Sequence, residues 1–408
     1  MNCLIIKEEM NKMAKIIAVN AGSSSLKFQL FEMNDESVIA SGVVERIGLK
    51  DGIYTLKYQD EKFVQTLPIE NHKKAVELLL ASLLEHDVVK SLDEIQGVGH
   101  RVVQGGDLFL DSTVFDSHVA NSIASIANLA PLHNPAHLTG YYAFKEAMPQ
   151  VGHVAVFDTA FHSTMNKESF LYPIPYEYYE KYHIRRYGFH GSSHRYVSER
   201  CRELLGNPKH SNIIVCHLGA GGSLCAVKDG KSINTTMGFT PLTGIMMGSR
   251  CGEIDPSIVT FLMKQLDIDP ERMDNILNKE SGLLGVSKIS SDYRDVEAAA
   301  NQGDVKAQTA LKIFARRVAD FIGSYYIQLG KLDAICFTAG IGENSFTART
   351  AIINEIKEAL GIEIDEAKNK DRTPDRLIST EKSKVKVFVI PTNEELVIAR
   401  DTKRLLNL

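Results

Sequence analysis

No two cysteines in this 408-residue chain stand at C-x-x-C or zinc-ribbon spacing; the six, at positions 3, 201, 216, 225, 251 and 336, are scattered. That excludes a cysteine-built metal module and makes a reduced, cytoplasmic compartment the simplest expectation. Nor does any apolar run approach the roughly 20 residues that span a bilayer. The opening MNCLIIKEEMNKMAK has too short an apolar core for a secretory signal and carries acidic residues where such a signal wants none. With Met10 and Met13 just ahead of the first apolar strand, residues 1–14 read as an N-terminal extension outside the fold. Positive charge is not in excess either. A formal net charge of −5 argues against a nucleic-acid surface or a polybasic membrane anchor and leaves a small molecule as the partner.

The familiar nucleotide signatures are missing as well. The candidate Gly230-Lys231-Ser232 has Cys225 where G-x-x-x-x-G-K-[ST] needs its first glycine, and no glycine loop satisfies G-x-G-x-x-G. His190 and His194 stand four apart, but Gly191-Ser192-Ser193 between them offers no general base and no third ligand is evident, so a zinc site is not expected.

What the chain does contain begins at residues 15–31, KIIAVNAGSSSLKFQLF. Two branched and aromatic runs flank Asn20-Ala21-Gly22-Ser23-Ser24-Ser25, a strand, small-residue turn and strand. Gly22 has no Cβ, the serines can donate, and Lys27 adds a point charge, so the turn is either a cradle for an oxyanion or an ordinary polar hairpin. A third strand is expected over 37–44, a helix over 70–89, a strand over 96–103, a helix over 135–148 and a buried strand over 151–157 that ends at Asp158. From Ser211 the order repeats: SNIIVCHLGAGGSLCAVKDGKSINTTM gives three strands around a glycine turn. A long helix over 304–329, a strand over 333–338, a glycine loop, a helix over 345–360, a strand over 385–390 and a helix from Asn393 follow. Residues 368–384, charged and broken by Pro374, read as a surface connection.

The echo of IIAVNAGSSSLKFQLF in IIVCHLGAGGSLCAV, and of QGVGHRVVQGG in AICFTAGIGEN, predicts an internally duplicated α/β fold. Two such domains facing each other would put both glycine turns on one cleft. Three stretches carry charge in apolar surroundings. Arg101 lies in the strand GVGHRVV, where a buried arginine needs an anionic partner, either a ligand or a structural salt bridge. Arg250 lies in MGFTPLTGIMMGSRCGEIDP near Glu253 and Asp255, with an ion pair as the plain alternative. Asp158 closes VAVFD, where an acid holds a cation or caps a loop. The aromatic stretch 172–187 carries interspersed glutamates and adjoins YGFHG, so it reads as a flap or interface rather than a base-stacking surface.

NAGSSSLKF, GHRVV, APLHNP, VAVFDTAFH, YGFHG, MGFTP, SSDYRD, TAGIGEN and IPTNEE occur in one order from about residue 15 onward. On these blocks the chain resembles the acetate kinases of the short-chain carboxylate kinase (acetokinase) family. The resemblance implies the fold shared with actin and the sugar kinases: duplicated ribonuclease H-like domains, each a mixed sheet with flanking helices. It places them at 15–160 and 161–408, with the C-terminal helix packing back on the first. It also implies ATP and acetate as substrates, ADP as product, magnesium or manganese, a homodimer, and neither nucleic acid nor membrane as partner.

Residue by residue, Arg101 and Arg250 match the arginines that hold the carboxylate and the transferring phosphoryl group. Asn20 and Asp158 match positions beside the metal and phosphates, and Glu394 the acid linked to the metal. His190 matches a donor to the phosphoryl group, and His133 a second active-site histidine. Val103, Leu132, Phe189 and Pro241 match the pocket for the acyl methyl. Ser23, Ser25, Lys27, His217, Gly219, Gly221, Asp292, Tyr293, Arg294, Gly340, Ile341, Gly342 and Asn344 match the nucleotide side. One departure stands out: the family turn reads His-Leu-Gly-Asn-Gly, and here Ala220 replaces its asparagine. Gln104, where the family has histidine, and Ser249 and Cys251 are milder differences. The implied reaction is phosphorylation of acetate, with propionate or butyrate as alternative acceptors and a low-activity ATP-binding relative as the alternative class.

Overall fold

The computed structural model describes residues 14–131 and 133–408, so residues 1–13 of the expected extension and Leu132 lie outside the described residues, whereas Ala14, the last residue of that expected extension, is buried and its carbonyl accepts from Met33 N–H at 2.9 Å. The chain divides into two compact units, one comprising residues up to Gln104 with Ser112–Val156 and Glu395–Leu408, the other Gly105–Asp111 with Phe157–Glu394.

In the first, eight strands form one sheet: β1 (Lys15–Ala21), β2 (Ser25–Glu32), β3 (Ser37–Glu45), β4 (Gly52–Tyr58), β5 (Glu61–Leu67), β6 (Ile95–Val102), β7 (Thr113–Val114) and β8 (Gly152–Phe157), in the order β5-β4-β3-β2-β1-β6-β8-β7. Gly22 N–H donates to Ser25 O at 2.7 Å and closes the first hairpin, with Ala21 opposite Leu26. Helix His72–Glu85, capped by the Asn71 side chain, carries the chain across to β6, which pairs parallel with β1. Its Val76, Leu79, Leu80 and Leu83 pack with Ile17, Val19, Phe28 and Leu30 of the sheet.

The β4–β5 hairpin is absent from the sequence expectations. Its turn, Gln59-Asp60, has none of the Asn-Gly or Asp-Gly chemistry that announces a hairpin, and β5 is an edge strand with no fully buried residue. The glycines of QGVGH have a packing role. A Cβ on Gly97 would lie 2.7 Å from Thr402 Cγ2, and one on Gly99 2.3 Å from Thr402 Oγ1. Their absence lets helix Glu394–Leu406 lie against the backbone of β6. Arg400 pairs with Glu36 through two hydrogen bonds of 2.7 and 2.6 Å, and Ser112 donates to Asp401 at 2.6 Å.

The second sheet contains β9 (Asn212–Leu218), β10 (Gly222–Lys228), β11 (Lys231–Thr235), β12 (Ala334–Thr338), β13 (Arg376–Leu377) and β14 (Lys386–Val389), ordered β11-β10-β9-β12-β14-β13. Its first three strands are antiparallel, and β12 runs parallel to both β9 and β14. The run β11-β10-β9-β12-β14 repeats β3-β2-β1-β6-β8, which is the duplicated, actin-like plan. Helix Val305–Leu329 starts on an Asp304 cap, ends at Gly330 with φ +72, and buries Phe314, Val318, Ile322 and Tyr325. Two expectations need correction. The glycine loop after β12 is a helix, Ala339–Asn344. The surface connection over 368–384 is partly core: Asn369, Ile378 and Ser379 are fully buried, because β13 adds an edge to β14 and Ile378 N–H donates to Val387 O at 2.8 Å. Among the described residues no helix is long and apolar enough to cross a membrane.

Each unit also buries neutral histidines. In the first, His100 Nε2 lies 3.0 Å from His153 Nδ1, and burial pushes both below the usual imidazole value, His153 to about 4. In the second, burial brings His162 to about 4 and His194 well below normal. The unfolded chain takes up these protons near pH 6.5 and the folded chain does not. Stability is therefore complete above about pH 6.5 and lost as pH falls toward 4, by about 1.4 kcal/mol per pH unit for each histidine. Urea unfolding at pH 7 and pH 5 is expected to show a clearly lower midpoint at pH 5; equal midpoints would contradict it.

Candidate active site

The second glycine turn joins β9 to β10 through Gly219-Ala220-Gly221, with Gly219 N–H donating to Gly221 O at 3.2 Å. A Cβ on Gly221 would lie 3.3 Å from Arg250 Nη1 and 3.9 Å from His190 Cε1. The bare backbone at Gly221 thus brings a guanidinium and an imidazole onto one turn. The Arg250 loop is sewn to its surroundings by backbone bonds: Gly248 N–H to Ala220 O at 3.1 Å, Ser281 N–H to Ser249 O at 2.9 Å and Leu283 N–H to Met247 O at 2.9 Å. Gly282, at φ +63, has space only for hydrogen, since a Cβ would meet Met247 O at 2.2 Å.

Arg250 is half-buried, and burial lowers its pKa. Its Nη1 donates to Pro241 O at 3.1 Å and touches Met247 Sδ at 3.8 Å. Among the described residues no carboxylate pairs with it, and the neighbours suggested by sequence, Glu253 and Asp255, are exposed. A desolvated cation held only by neutral acceptors is set up to receive an anion.

His190 owes its place to the glycines around it. Gly188 sits at φ +77 and a Cβ there would strike Thr235 Cγ2 at 2.4 Å; a Cβ on Gly191 would lie 2.1 Å from Asp158 O. Between them His190 adopts a left-handed backbone, φ 57, a conformation that needs support from its surroundings. Gly191 N–H donates to Asp158 O at 2.9 Å, tying the histidine to the end of β8, where the Asp158 side chain is buried. The His190 ring stacks on His217 with centroids 4.1 Å apart, and its Nδ1 lies 2.9 Å from Ser223 Oγ. His217 Nδ1 is 2.8 Å from Ser193 Oγ, which accepts from Thr392 at 2.8 Å. Phe189 is buried beside them, its carbonyl accepting from His162 Nε2 at 3.0 Å. The aromatic stretch is anchored here as well: Tyr172 Oη occupies the space a Gly238 Cβ would take and accepts from Phe239 N–H at 2.9 Å.

Beyond the turn opens a cavity of about 890 Å³. Of the residues expected on the nucleotide side, Gly219, Ala220, Asp292, Tyr293, Arg294, Gly340, Ile341 and Asn344 line it. Asp292 caps helix Tyr293–Asn301 and binds Arg294 through bonds of 3.0 and 2.6 Å. That hydrogen bonding brings its carboxyl down to about 2. Ser291, Glu297, Phe346, Thr347 and Arg372 also line the cavity and were not foreseen.

Two further residues shape it from behind. Glu343 accepts from Ala339 N–H at 2.8 Å and Thr392 N–H at 3.3 Å, holding Ala339 at φ +64. Arg349, 1% exposed, donates to Gly342 O at 2.8 Å, Glu343 O at 3.0 Å and Asn369 Oδ1 at 2.8 Å, satisfying carbonyls that helix Ala339–Asn344 leaves open. Burial lowers its pKa to about 10. The signal for Arg349 was legible: it shares the apolar stripe of helix Phe346–Leu360 with Ile352, Ile353 and Ile356.

The first unit carries the remaining expected residues. Asn20, half-buried at the end of β1, pairs in register with Lys27. Ser23 and Lys27 are exposed and Ser25 is half-buried; Lys27 lines a groove of about 200 Å³ with Thr55, Lys57 and Glu395. Arg101, near the end of β6, is half-buried rather than buried, whereas Val103 is buried. His133 precedes helix Asn134–Ala147. Asp158, Phe189, His190, His217, Pro241, Arg250, Gly342 and Glu394 belong to the second unit.

The acetokinase family model matches residues 15–400. The chain is 52% identical over 397 residues to the acetate kinase of Geobacillus sp. (strain WCH70), covering 97% of this chain and 100% of that one. It is 53% identical over 394 residues to the acetate kinase of Shouchella clausii, covering 96% and 100%. Among solved structures, Porphyromonas gingivalis acetate kinase superposes with a TM-score of 0.92 at 40% identity. A propionate kinase from Francisella tularensis does so with 0.90 at 42%, each covering 96% of this chain and 100% of the other. With profile, sequence and fold in agreement along nearly its whole length, the chain belongs to the acetokinase family.

Proposed function

We propose that the chain transfers the γ-phosphoryl group of ATP reversibly to acetate, giving acetyl phosphate and ADP by direct in-line displacement. Arg250 carries the reading. It is a desolvated guanidinium without a carboxylate partner among the described residues, set against the glycine turn that also lines a cavity of nucleotide size.

Acetate is ionised at neutral pH, so the reaction needs no general base, and neither His190 nor His133 serves as one. The barrier is repulsion between an anionic nucleophile and the phosphates. Arg101 holds the acceptor carboxylate, Arg250 neutralises charge on the phosphoryl oxygens, and His190 donates a hydrogen bond to them. Val103, Phe189 and Pro241 supply apolar contact for the methyl. Asp158, Glu394 and the Asn20 amide offer oxygen donors alone, which fits magnesium, or manganese, arriving with the nucleotide phosphates. When bound, the ion neutralises phosphate charge. The nucleotide lies along Gly219, Ala220, Asp292, Tyr293, Gly340, Ile341 and Asn344.

We also place the protein in the cytoplasm as a homodimer without nucleic-acid or membrane partners. The acidic net charge supports the latter. Helix Ser257–Leu266, which buries none of its residues and exposes Ile258, Phe261 and Leu266, supports a self-association surface.

The test is a carboxylate panel with Mg-ATP, trapping acyl phosphate as hydroxamate. Acetate is expected to give the highest kcat/KM, with propionate and butyrate lower by about tenfold or more for each added methylene. A preference for propionate would reassign the acceptor, and no product with any acid would overturn the kinase reading. Ala220 is exposed on the cavity wall, its carbonyl already used by Gly248. Ala220→Asn is expected to restore one hydrogen bond to a charged phosphate, raising kcat/KM for ATP by about tenfold to a hundredfold. An unchanged or reduced value would show that the turn is compensated elsewhere.

A further inference from the structure

We infer that Ser223 and His194 are positioning residues that hold His190 in the tautomer with its proton on Nε2, so that a neutral imidazole presents an N–H donor outward from Nδ1-bound Ser223. The last step, donation to a phosphoryl oxygen, rests on the reaction proposed above; the tautomer does not.

Ser223 Oγ, fully buried, is reached by two imidazole nitrogens, Nδ1 of His190 at 2.9 Å and Nε2 of His194 at 2.7 Å. A hydroxyl has one proton and two lone pairs, and accepting from both rings would leave the buried Ser223 proton without an acceptor among the described residues, so it donates to one ring and accepts from the other. If Ser223 donated to His194, the neutral His194 would carry its own proton on Nδ1. That atom is buried and has no hydrogen-bond partner among the described residues, and a buried, orphaned N–H is among the least tolerated groups in a protein interior. The reverse arrangement leaves only a bare lone pair there. His194 N–Hε2 therefore donates to Ser223 Oγ, Ser223 O–H donates to Nδ1 of His190, and the His190 proton resides on Nε2.

A doubly protonated His194 would escape this logic. It is disfavoured by complete burial and by the neighbouring rings of His162 and His217, which hold its pKa well below normal. The stack of His190 on His217 and the left-handed backbone at φ 57 fix the ring plane, and the Ser223 hydroxyl fixes which nitrogen points inward. The serine at position 223 and the histidine four residues after His190 thus have a shared purpose. The rejected zinc pair of the sequence is a relay that orients one ring through the other.

The experiment is ¹⁵N NMR of the histidine rings in the full chain without nucleotide, with the His190 signals assigned by their loss in His190→Gln. The expected spectrum has His190 unprotonated at Nδ1 and protonated at Nε2, and His194 protonated at Nε2. Protonation of either ring on Nδ1 would overturn the inference. Ser223→Ala is expected to release His190 into an averaged pair of tautomers and to lower kcat about threefold to tenfold, the worth of one hydrogen bond, with KM for ATP and acetate little changed. Ser223→Thr, which keeps the hydroxyl, is expected to restore both. A single unchanged tautomer in Ser223→Ala, or a threonine variant as impaired as the alanine one, would refute the positioning role. If the alanine variant fails to fold, the wild-type and threonine spectra decide alone. The spectra are read on resting protein, so failure of the kinase reading in the carboxylate panel would leave their outcome separately interpretable.

Discussion

Arg250→Ala is expected to lower kcat by about three orders of magnitude while leaving the thermal midpoint unchanged or slightly raised. The two halves of this result come from one observation. A guanidinium that loses solvent on folding without gaining a carboxylate costs the folded state free energy. Removing it relieves that cost, whereas removing one member of a structural ion pair would strand the other. In the proposed reaction the same charge is assigned to the transferring phosphoryl group, where an arginine contributes about 10³-fold or more. Arg250→Lys is expected to recover little, because a point charge on a flexible stem does not reproduce a planar fork held by Pro241 O and Met247. The measurement is kcat by hydroxamate trapping beside a thermal melt. Near-normal turnover, or a large loss of stability, would return Arg250 to the role of structural cation.

Gly191→Ala is expected to reduce kcat/KM by more than about a hundredfold although it adds only one methyl. The new Cβ would sit 2.1 Å from the carbonyl oxygen of Asp158, closer than any two such atoms approach, so the backbone must part. Either His190 moves with the start of its helix or Asp158 moves with the end of β8, and both are assigned to the reacting centre. A displacement near 1 Å at such groups costs about a hundredfold, and the overpacking adds roughly 1–3 kcal/mol of destabilisation. Steady-state kinetics at a temperature where the variant remains folded separates the two effects. Unimpaired kinetics there would mean that the Asp158–Gly191 junction does not position the site.

Much of this was legible in the sequence. The two strand–turn–strand runs, the long helix over 304–329 and the strand leading to Asp158 are local patterns, set by alternation, periodicity and length, and they emerge where expected. The nine ordered blocks fixed the family and most of the cavity wall. What escaped depends on partners distant in sequence. The β4–β5 hairpin has no turn signal and buries little. Glu343 looks like an ordinary helix residue until the two amides it serves are seen, and Arg349, although marked by its place on an apolar stripe, shows its reason only with the carbonyls it serves. The glycines Gly97 and Gly99 resemble a loop signal, yet their reason is a helix lying on bare strand backbone. Arg101 shows the converse error: an arginine in an apolar strand suggests burial, but near the strand end it reaches half-exposure.

Helix Glu394–Leu406, set on Gly97 and Gly99 of β6 and clasped through Arg400 and Glu36, bears on the order of events during synthesis. The first unit is translated early, but the Gly97 and Gly99 face of its β6 is covered by a segment that follows the entire second unit. While the ribosome makes residues 157–394, the face of β6 destined for that helix has no cover of its own and must persist incomplete. The second unit, whose stretches are nearly contiguous, meets no such delay. The half of the chain made first is therefore the half finished last, and the interval between is when it is most exposed to misassembly.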